Sequence, residues 1–548
     1  MVKILITPMI RNKHSTSYKI NNLEANIMVN SNSIRSEYPR PDFERQEWLN
    51  LNGEWYFEFD DNNLGEEQCW YKTYDFSQRI IVPFCYQSKL SSIDNQELHE
   101  YLWYKRTFEI PEAFLEKRVL LNFGAVDYLA KVWINGEFVG LHKGGHISFK
   151  IEVSRYLKKG TNTIVVKAED KYDTVQPRGK QYWKAKPDRC WYTATSGIWQ
   201  TVWLETVGES FIDKLRLTPD IDRRNVLVEV FLDKLVSDLN LSIEVAYEGE
   251  TVRKMNLDIE DRITRFTIDF REHDYIDEIH YWTPETPNLY DVLFKLTKNS
   301  TEVDSIITYF GMRKISIKDD MVLLNNKPYY QRLVLDQGYW PDSLLTPPSD
   351  AAIKYDIEMT KIFGFNGARK HQKIEDPRYY YWADKLGLLV WGEMPSAYNF
   401  NSEEITNLTQ EWIEFINRDY NHPCIITWVP LNESWGIRNI FVDRNQQNFA
   451  KSLYYATKAL DDTRLVSIND GWEMIQDTDI LGIHDYAPFG ENFTPRYVDR
   501  DKLLNSSAQG RMLFCEGNIY KGQPVLLTEY GGIAFESSSI ETWGYFGS

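Results

Sequence analysis

The stretch Ile425–Gly436 reads IITWVPLNESWG. An apolar run fit for a buried strand ends in Asn432-Glu433, with Ser434 and Trp435 behind it, so a carboxylate sits where the strand leaves the core. Glu433 either marks the point where the chain meets solvent or is held at the mouth of a rigid scaffold for chemistry. The surrounding sequence bears on that choice.

On both sides of this strand, apolar strands alternate with helical patterns. YYQRLVL is followed by a helix over 350–363, GFNGARK by a helix over 378–386, and LLVWGEM by a helix over 404–417. IITWVPLNE then leads into a helix over 445–460, and RLVSIND, ILGIHDY and VLLTEYGG follow. Seven strands in this rhythm predict parallel strands with crossover helices, a (β/α)8 barrel over 315–548. Only 16 residues follow Gly532, whereas a βα unit takes roughly 30, so the barrel is expected to be truncated after its seventh strand.

Upstream the pattern changes to short β-branched and aromatic segments separated by turns. GEWYFEF, LWYKRTFEI, RVLLNFGAV, AKVWINGEFVG and GIWQTVWLE predict a β-sandwich over 39–206, with a hairpin at Asn135-Gly136. Trp199 and Trp203, at even spacing, read as core residues of that sandwich. VLVEVFL, LSIEVAYE, TRFTIDF and YDVLFKL predict a smaller immunoglobulin-like sandwich over 207–314. Residues 1–38, polar and rich in Asn and Ser, read as an irregular arm.

Composition excludes several classes. A formal charge of −18 disfavours nucleic acid and anionic membranes as partners. Five scattered cysteines without a C-x-x-C pair give neither a disulfide framework nor a zinc site, so no metal and no cofactor are expected. The first residues lack a cleavage pattern and no apolar run approaches the roughly 20 residues of a spanning helix, which predicts a cytoplasmic protein. The aromatic content of 14% exceeds what cores usually need and fits either rings that stack on apolar ligand faces or sheets packed in sandwiches.

In a (β/α)8 barrel the chemistry sits at the C-terminal ends of the strands. Glu433 ends the fourth strand and Glu529 the seventh, 96 residues later, or three βα units. Two carboxylates facing each other across such a mouth are the equipment of glycoside hydrolysis. At this point the chain resembles glycoside hydrolase family 2, which includes β-galactosidases, β-glucuronidases and β-mannosidases. The matching phrases are WLNLNGEWYF, LNFGAVDYLAKVWINGEFVG, QPRGKQYW, TSGIWQTVWLE, YFGMRKISI, GFNGARKHQ and NHPCIITWVPLNESWG.

The resemblance implies a jelly-roll sugar-binding-type domain, an immunoglobulin-like domain and a catalytic barrel working by double displacement. It places the acid/base on Glu433, the nucleophile on Glu529, a contact to the sugar 2-hydroxyl on Asn432, and a charge beside the nucleophile on Arg369. His371, Glu393, His484, Tyr486, Asp336 and Trp340 fall at strand ends and, with Trp435, are expected to hold the sugar. The implied activity is that of a retaining exo-β-glycosidase. A β-galactoside is the favoured substrate, with a β-glucuronidase or β-mannosidase as alternatives.

RKHQKIEDPRYYYWADKLG, RLVLDQGYWPD and NESWG depart from the best-known members in loops that line the sugar site. A reading from another class stays open: a catalytically silent, truncated carbohydrate-binding protein. Its unpaired barrel edges would favour a homo-oligomer.

Overall fold

The computed structural model describes residues 34–271, 279–487, 495–505, 510–534 and 546–547. Most of the expected N-terminal arm, residues 1–33, lies outside them. The end of that arm is packed: Arg35 donates to Asp376 Oδ2 at 2.9 Å, and Tyr38 donates to Glu205 Oε1 at 2.7 Å.

Three layered units follow in chain order. The first is a sandwich of two antiparallel sheets, one of four strands and one of six. Asn135 and Gly136, both in the left-handed region, turn the chain between Leu129–Ile134 and Glu137–Lys143, which pair as the expected hairpin. Trp203 is buried within this unit, whereas Trp199 packs with Ala125 and Leu345, on the side facing the barrel. The second unit pairs sheets of three and four strands around Val228, Ile243 and Phe294.

The third unit is the barrel, with strands β1 (Leu333–Asp336), β2 (Gly367–Lys370), β3 (Leu389–Glu393), β4 (Ile425–Val429), β5 (Leu465–Val466), β6 (Leu481–Asp485) and β7 (Val525–Tyr530). β1 to β5 form one parallel sheet in sequence order, and β6 pairs in parallel with β7. β4 and β5 each resume after a short break, as Leu431–Asn432 beside Asn469–Asp470. That second ladder carries the chain to Glu433.

Crossover helices α1 (Asp350–Ile362), α2 (Pro377–Leu386), α3 (Ser402–Asp419) and α4 (Arg444–Leu460) begin at Ser349, Asp376, Asn401 and Asp443. Each of these caps accepts a hydrogen bond from a first-turn amide, which satisfies donors that the helix itself cannot.

β2, β3, β4 and β6 are buried along their whole length, while β1 and β7 are mostly half-buried. Among the described residues no strand pairs β7 with β1. A cavity of about 740 Å³ lies there, lined by Leu333, Leu335, Leu526 and Thr528. Beyond Gly532 the described chain adds one more parallel pair, Ile533–Ala534 with Phe546–Gly547.

Candidate active site

The turn that presents Glu433 is unusual in its backbone. Glu433 and Ser434 take φ of 51° and 58°, left-handed values that cost a non-glycine residue about 1–2 kcal/mol each. Fixed partners offset that cost. Glu433 N donates to Asp470 O at 2.9 Å, Ser434 N to Asn469 Oδ1 at 2.9 Å, and Trp435 N to Asn432 O at 2.9 Å. The carboxylate is therefore aimed by backbone held from β4 and β5 together, not by rotamer choice alone.

Glu529, on β7, meets Glu433 across the mouth. One oxygen of each, together with a ring nitrogen of His484, lie within 4.8 Å of one another. This is the one group of three among the described residues with the spacing of a metal site. His484 bridges the two halves, its Nδ1 at 2.7 Å from Glu433 Oε1 and its Nε2 at 3.0 Å from Asp470 Oδ2. Tyr486 donates to Glu529 Oε2 and lies 3.4 Å from Glu433 Oε1.

Arg369, buried on β2, is the hub beneath the pair. Its guanidinium donates to Glu529 Oε1, to Asp470 Oδ2 and, at 3.2 Å, to Asn432 Oδ1. Nε lies 3.4 Å from Glu393 Oε2, and NH2 lies 2.9 Å from His371 Nδ1. Burial by itself would raise the Glu529 carboxyl. The field of His484, Arg369 and His371, with the Tyr486 hydroxyl, overrides it and holds Glu529 well below the usual carboxylate range. Burial lowers His371 despite Glu393 at 3.0 Å.

Asn432 is fully buried, and its Nδ2 has no hydrogen-bond partner in the described structure, although its Oδ1 is taken by Arg369. An orphaned amide donor beside two carboxylates has the chemistry to meet a ligand hydroxyl. Trp435, two residues past Glu433, forms the rim, with its ring 6.5 Å from His371.

Two expected residues are elsewhere. Asp336 and Trp340 line a separate cavity of about 320 Å³ with Lys370 and Glu375. Strand register explains this correction. Leu335 lies opposite Arg369 and Asp336 opposite Lys370, so Asp336 is on the face away from Arg369 and accepts from Lys370 Nζ at 2.7 Å. Trp340 follows it in a backbone bridge with Leu344.

Asp470, which the sequence reading passed over, joins the network at the end of the resumed β5. It was open to the same strand-end rule that selected Glu433. The sandwich-domain loop over 179–192 was also missed, because no local pattern connects it to the barrel. Arg178 N and Gly179 N both donate to Ser396 O at 3.0 Å, and Trp191 Nε1 donates to Tyr398 OH at 2.9 Å.

Models of glycosyl hydrolases family 2 match in order: the sugar binding domain over 48–207, the family's second domain over 210–313 and the TIM barrel domain over 315–540. The chain belongs to glycosyl hydrolase family 2. A β-galactosidase of Thermoanaerobacter pseudethanolicus is 26% identical over 423 residues, covering 73% of this chain and 53% of that protein. A putative β-glucuronidase of Formosa agariphila is 30% identical over 346 residues, covering 61% of this chain and 40% of that protein. The chain thus spans about half the length, or less, of these curated relatives. The crystal structure of Ruminococcus gnavus β-glucuronidase superposes with a TM-score of 0.74 at 19% identity, covering 93% of this chain and 87% of that one. This family 2 chain therefore carries the three-domain architecture with a TIM-barrel domain. Among its described residues no helix is long and apolar enough to cross a membrane.

Proposed function

We propose that this chain is a retaining exo-β-glycosidase in which Glu529 is the nucleophile and Glu433 the acid/base. The observation that carries this reading is the approach of the two carboxylates, with oxygens within 4.8 Å. Retaining enzymes place their carboxyl groups roughly 5–5.5 Å apart, whereas inverting ones leave room for a water at about 6.5–9.5 Å. The depressed, Arg369-bound Glu529 is held as the anion that an attacking group must be.

In the first step a Glu529 oxygen bonds to the anomeric carbon. The bond from that carbon to the leaving oxygen breaks, and Glu433 gives its proton to that oxygen. In the second step Glu433 takes a proton from water, whose oxygen attacks the same carbon and expels Glu529. Two inversions restore the β configuration. Asn432 Nδ2 is placed to hydrogen-bond the sugar 2-hydroxyl, while His371, Glu393 and Trp435 shape the same pocket.

Relatives at similar identity are named both β-galactosidase and β-glucuronidase, so a nitrophenyl panel must include both glycons together with the mannoside. Release by the wild type is expected to fall about 10⁴-fold or more in Glu529→Gln and Glu433→Ala. Azide is expected to restore turnover to Glu433→Ala as a β-glycosyl azide, because the small anion needs no general base. An α-configured product, or near-wild-type rates in either variant, would refute the assignment. The 740 Å³ cavity between β1 and β7 favours a second reading, a binding-only protein. Silence across the panel with retained sugar binding would establish it.

A further inference from the structure

Lys180 is a buried cation without a counter-ion. It is 6% exposed, and among the described residues no carboxylate lies within ion-pairing distance of its Nζ. The buried carboxylates Glu375, Glu529, Asp470 and Asp170 are bonded to other cations: Glu375 to Lys370 and Lys373, Glu529 and Asp470 to Arg369, and Asp170 to Arg178. A buried charge left unpaired costs several kcal/mol unless something compensates it. The compensation visible here is a side-chain hydrogen bond to Cys190 and a tryptophan face: Lys180 Nζ stands 4.4 Å from the centre of the Trp435 ring. Burial raises the Cys190 thiol beside it, so that group adds no negative charge.

The position of Lys180 is built rather than incidental. Gly179, at φ 60°, packs so tightly against the backbone carbonyl of Gln372 that no side chain fits there, which presses the loop onto the end of β2. Tyr192 N donates to Lys180 O at 2.8 Å, and Tyr182 N to Tyr192 O at 2.9 Å, closing the loop on itself. Aromatic rings frame the ammonium. Trp191 stacks on Trp435 at 5.7 Å and 27°, and Tyr398 lies 5.4 Å from Trp435. Trp435 in turn faces His371 of the candidate active site. Farther out the same loop exposes Lys184, Lys186 and Arg189 against the single carboxylate Asp188, a positive patch on a chain of net charge −18.

From this geometry we infer that Lys180, with Trp191 and Trp435, forms a subsite contributed by the sandwich domain that binds an anionic sugar, one bearing a carboxylate or a sulfate ester. The rings cover the apolar face of the sugar, and the ammonium meets its charge in a water-poor corner where a charge-assisted hydrogen bond is strong. The cationic rim raises the local concentration of such ligands. This inference deepens the glycosidase reading and rests on it for turnover, though not for binding.

The test compares nitrophenyl β-glucuronide and nitrophenyl β-galactoside 6-sulfate with nitrophenyl β-galactoside, in wild type, Lys180→Met and Lys180→Arg. The wild type is expected to favour at least one anionic substrate. Lys180→Met should lower kcat/KM on that substrate at least about tenfold more than on the neutral one, mainly through KM, and Lys180→Arg should recover part of the loss. The glucuronide and sulfate arms identify which anion fits. Equal losses on charged and neutral substrates, or a wild type that favours the neutral one, would overturn the inference. If nothing is cleaved, the glycosidase reading fails separately, and tryptophan fluorescence of the full chain titrated with free glucuronate, galactose 6-sulfate and galactose decides the subsite. A salt-sensitive response to an anion that Lys180→Met abolishes supports it; the absence of any anion response refutes it.

Discussion

The two sides of the barrel are held together differently. From β2 to β4 and in β6 every residue is buried, and the polar groups at the strand ends are bonded to one another across four strands. On β1 and β7 most residues are half-buried, and a cavity of about 740 Å³ separates the strands. Yet Glu529 belongs to β7. Its carboxylate is positioned by Arg369 of β2 and by Tyr486 just past β6, so a loosely packed strand borrows its precision from the tight side. Electrostatic partners can thus orient a side chain where packing around its own strand is thin.

The largest expected effect comes from cutting that link. Arg369→Met removes the one cation shared by Glu529, Glu393 and Asp470, leaving buried carboxylates uncompensated. It should cost about 3–5 kcal/mol in denaturant unfolding, and at least about 10³-fold in kcat on any substrate of the wild type. A variant that keeps both would mean that β7 positions Glu529 by itself.

A smaller effect separates the packing of the two sides. Ile426→Ala, in the fully buried β4, should cost about 2–5 kcal/mol. Leu526→Ala, on half-buried β7, should cost about 1 kcal/mol or less. Equal costs in paired melts would remove the contrast.

Next is a pH effect seated away from the mouth. Burial lowers His422, but Asp384 at 2.6 Å overrides it and pushes this histidine up to about 9. Burial and Asp170 push Asp127 up to about 8, and burial pushes Glu404 up to about 8. All three hold protons in the folded chain that the unfolded chain releases at lower pH. Their contribution is complete below the unfolded values, near 4 for the carboxyls and 6.5 for His422. It is lost as pH rises through about 8 to 9. Melting temperature should therefore fall between pH 6.5 and 9, and His422→Asn should flatten the upper part of that fall. A flat wild-type profile would contradict these shifts. The smallest effect belongs to Tyr530, 61% exposed at the end of β7: Tyr530→Thr should change stability by no more than about 0.5 kcal/mol.

Much of the architecture was legible because hydrophobic periodicity is local. The switch from period-two segments to helix-strand alternation near 315 announces two β units and then a barrel, and the four crossover helices fall within two residues of where their patterns place them. Glu433 and Glu529 were legible for a related reason: a strand end is visible in sequence, and the barrel topology then places strand ends on one rim. Asp336 and Trp340 obeyed the same rule and still lie in another cavity, because the inward or outward sense of a side chain depends on register against the neighbouring strand.

The sequence by itself determined the order of the domains, the strand that carries Glu433 and the spacing that brings Glu529 to the same face. These follow from periodicity and chain length, which act over tens of residues. Only the tertiary structure decided that Arg369 serves three carboxylates at once, that Asp470 and His484 complete the network, and that Lys180 of the sandwich loop lies over Trp435, 255 residues farther along the chain. Charges and rings act through space and fall off within a few ångströms, so which of them meet is set by how the domains pack, not by their distance along the chain.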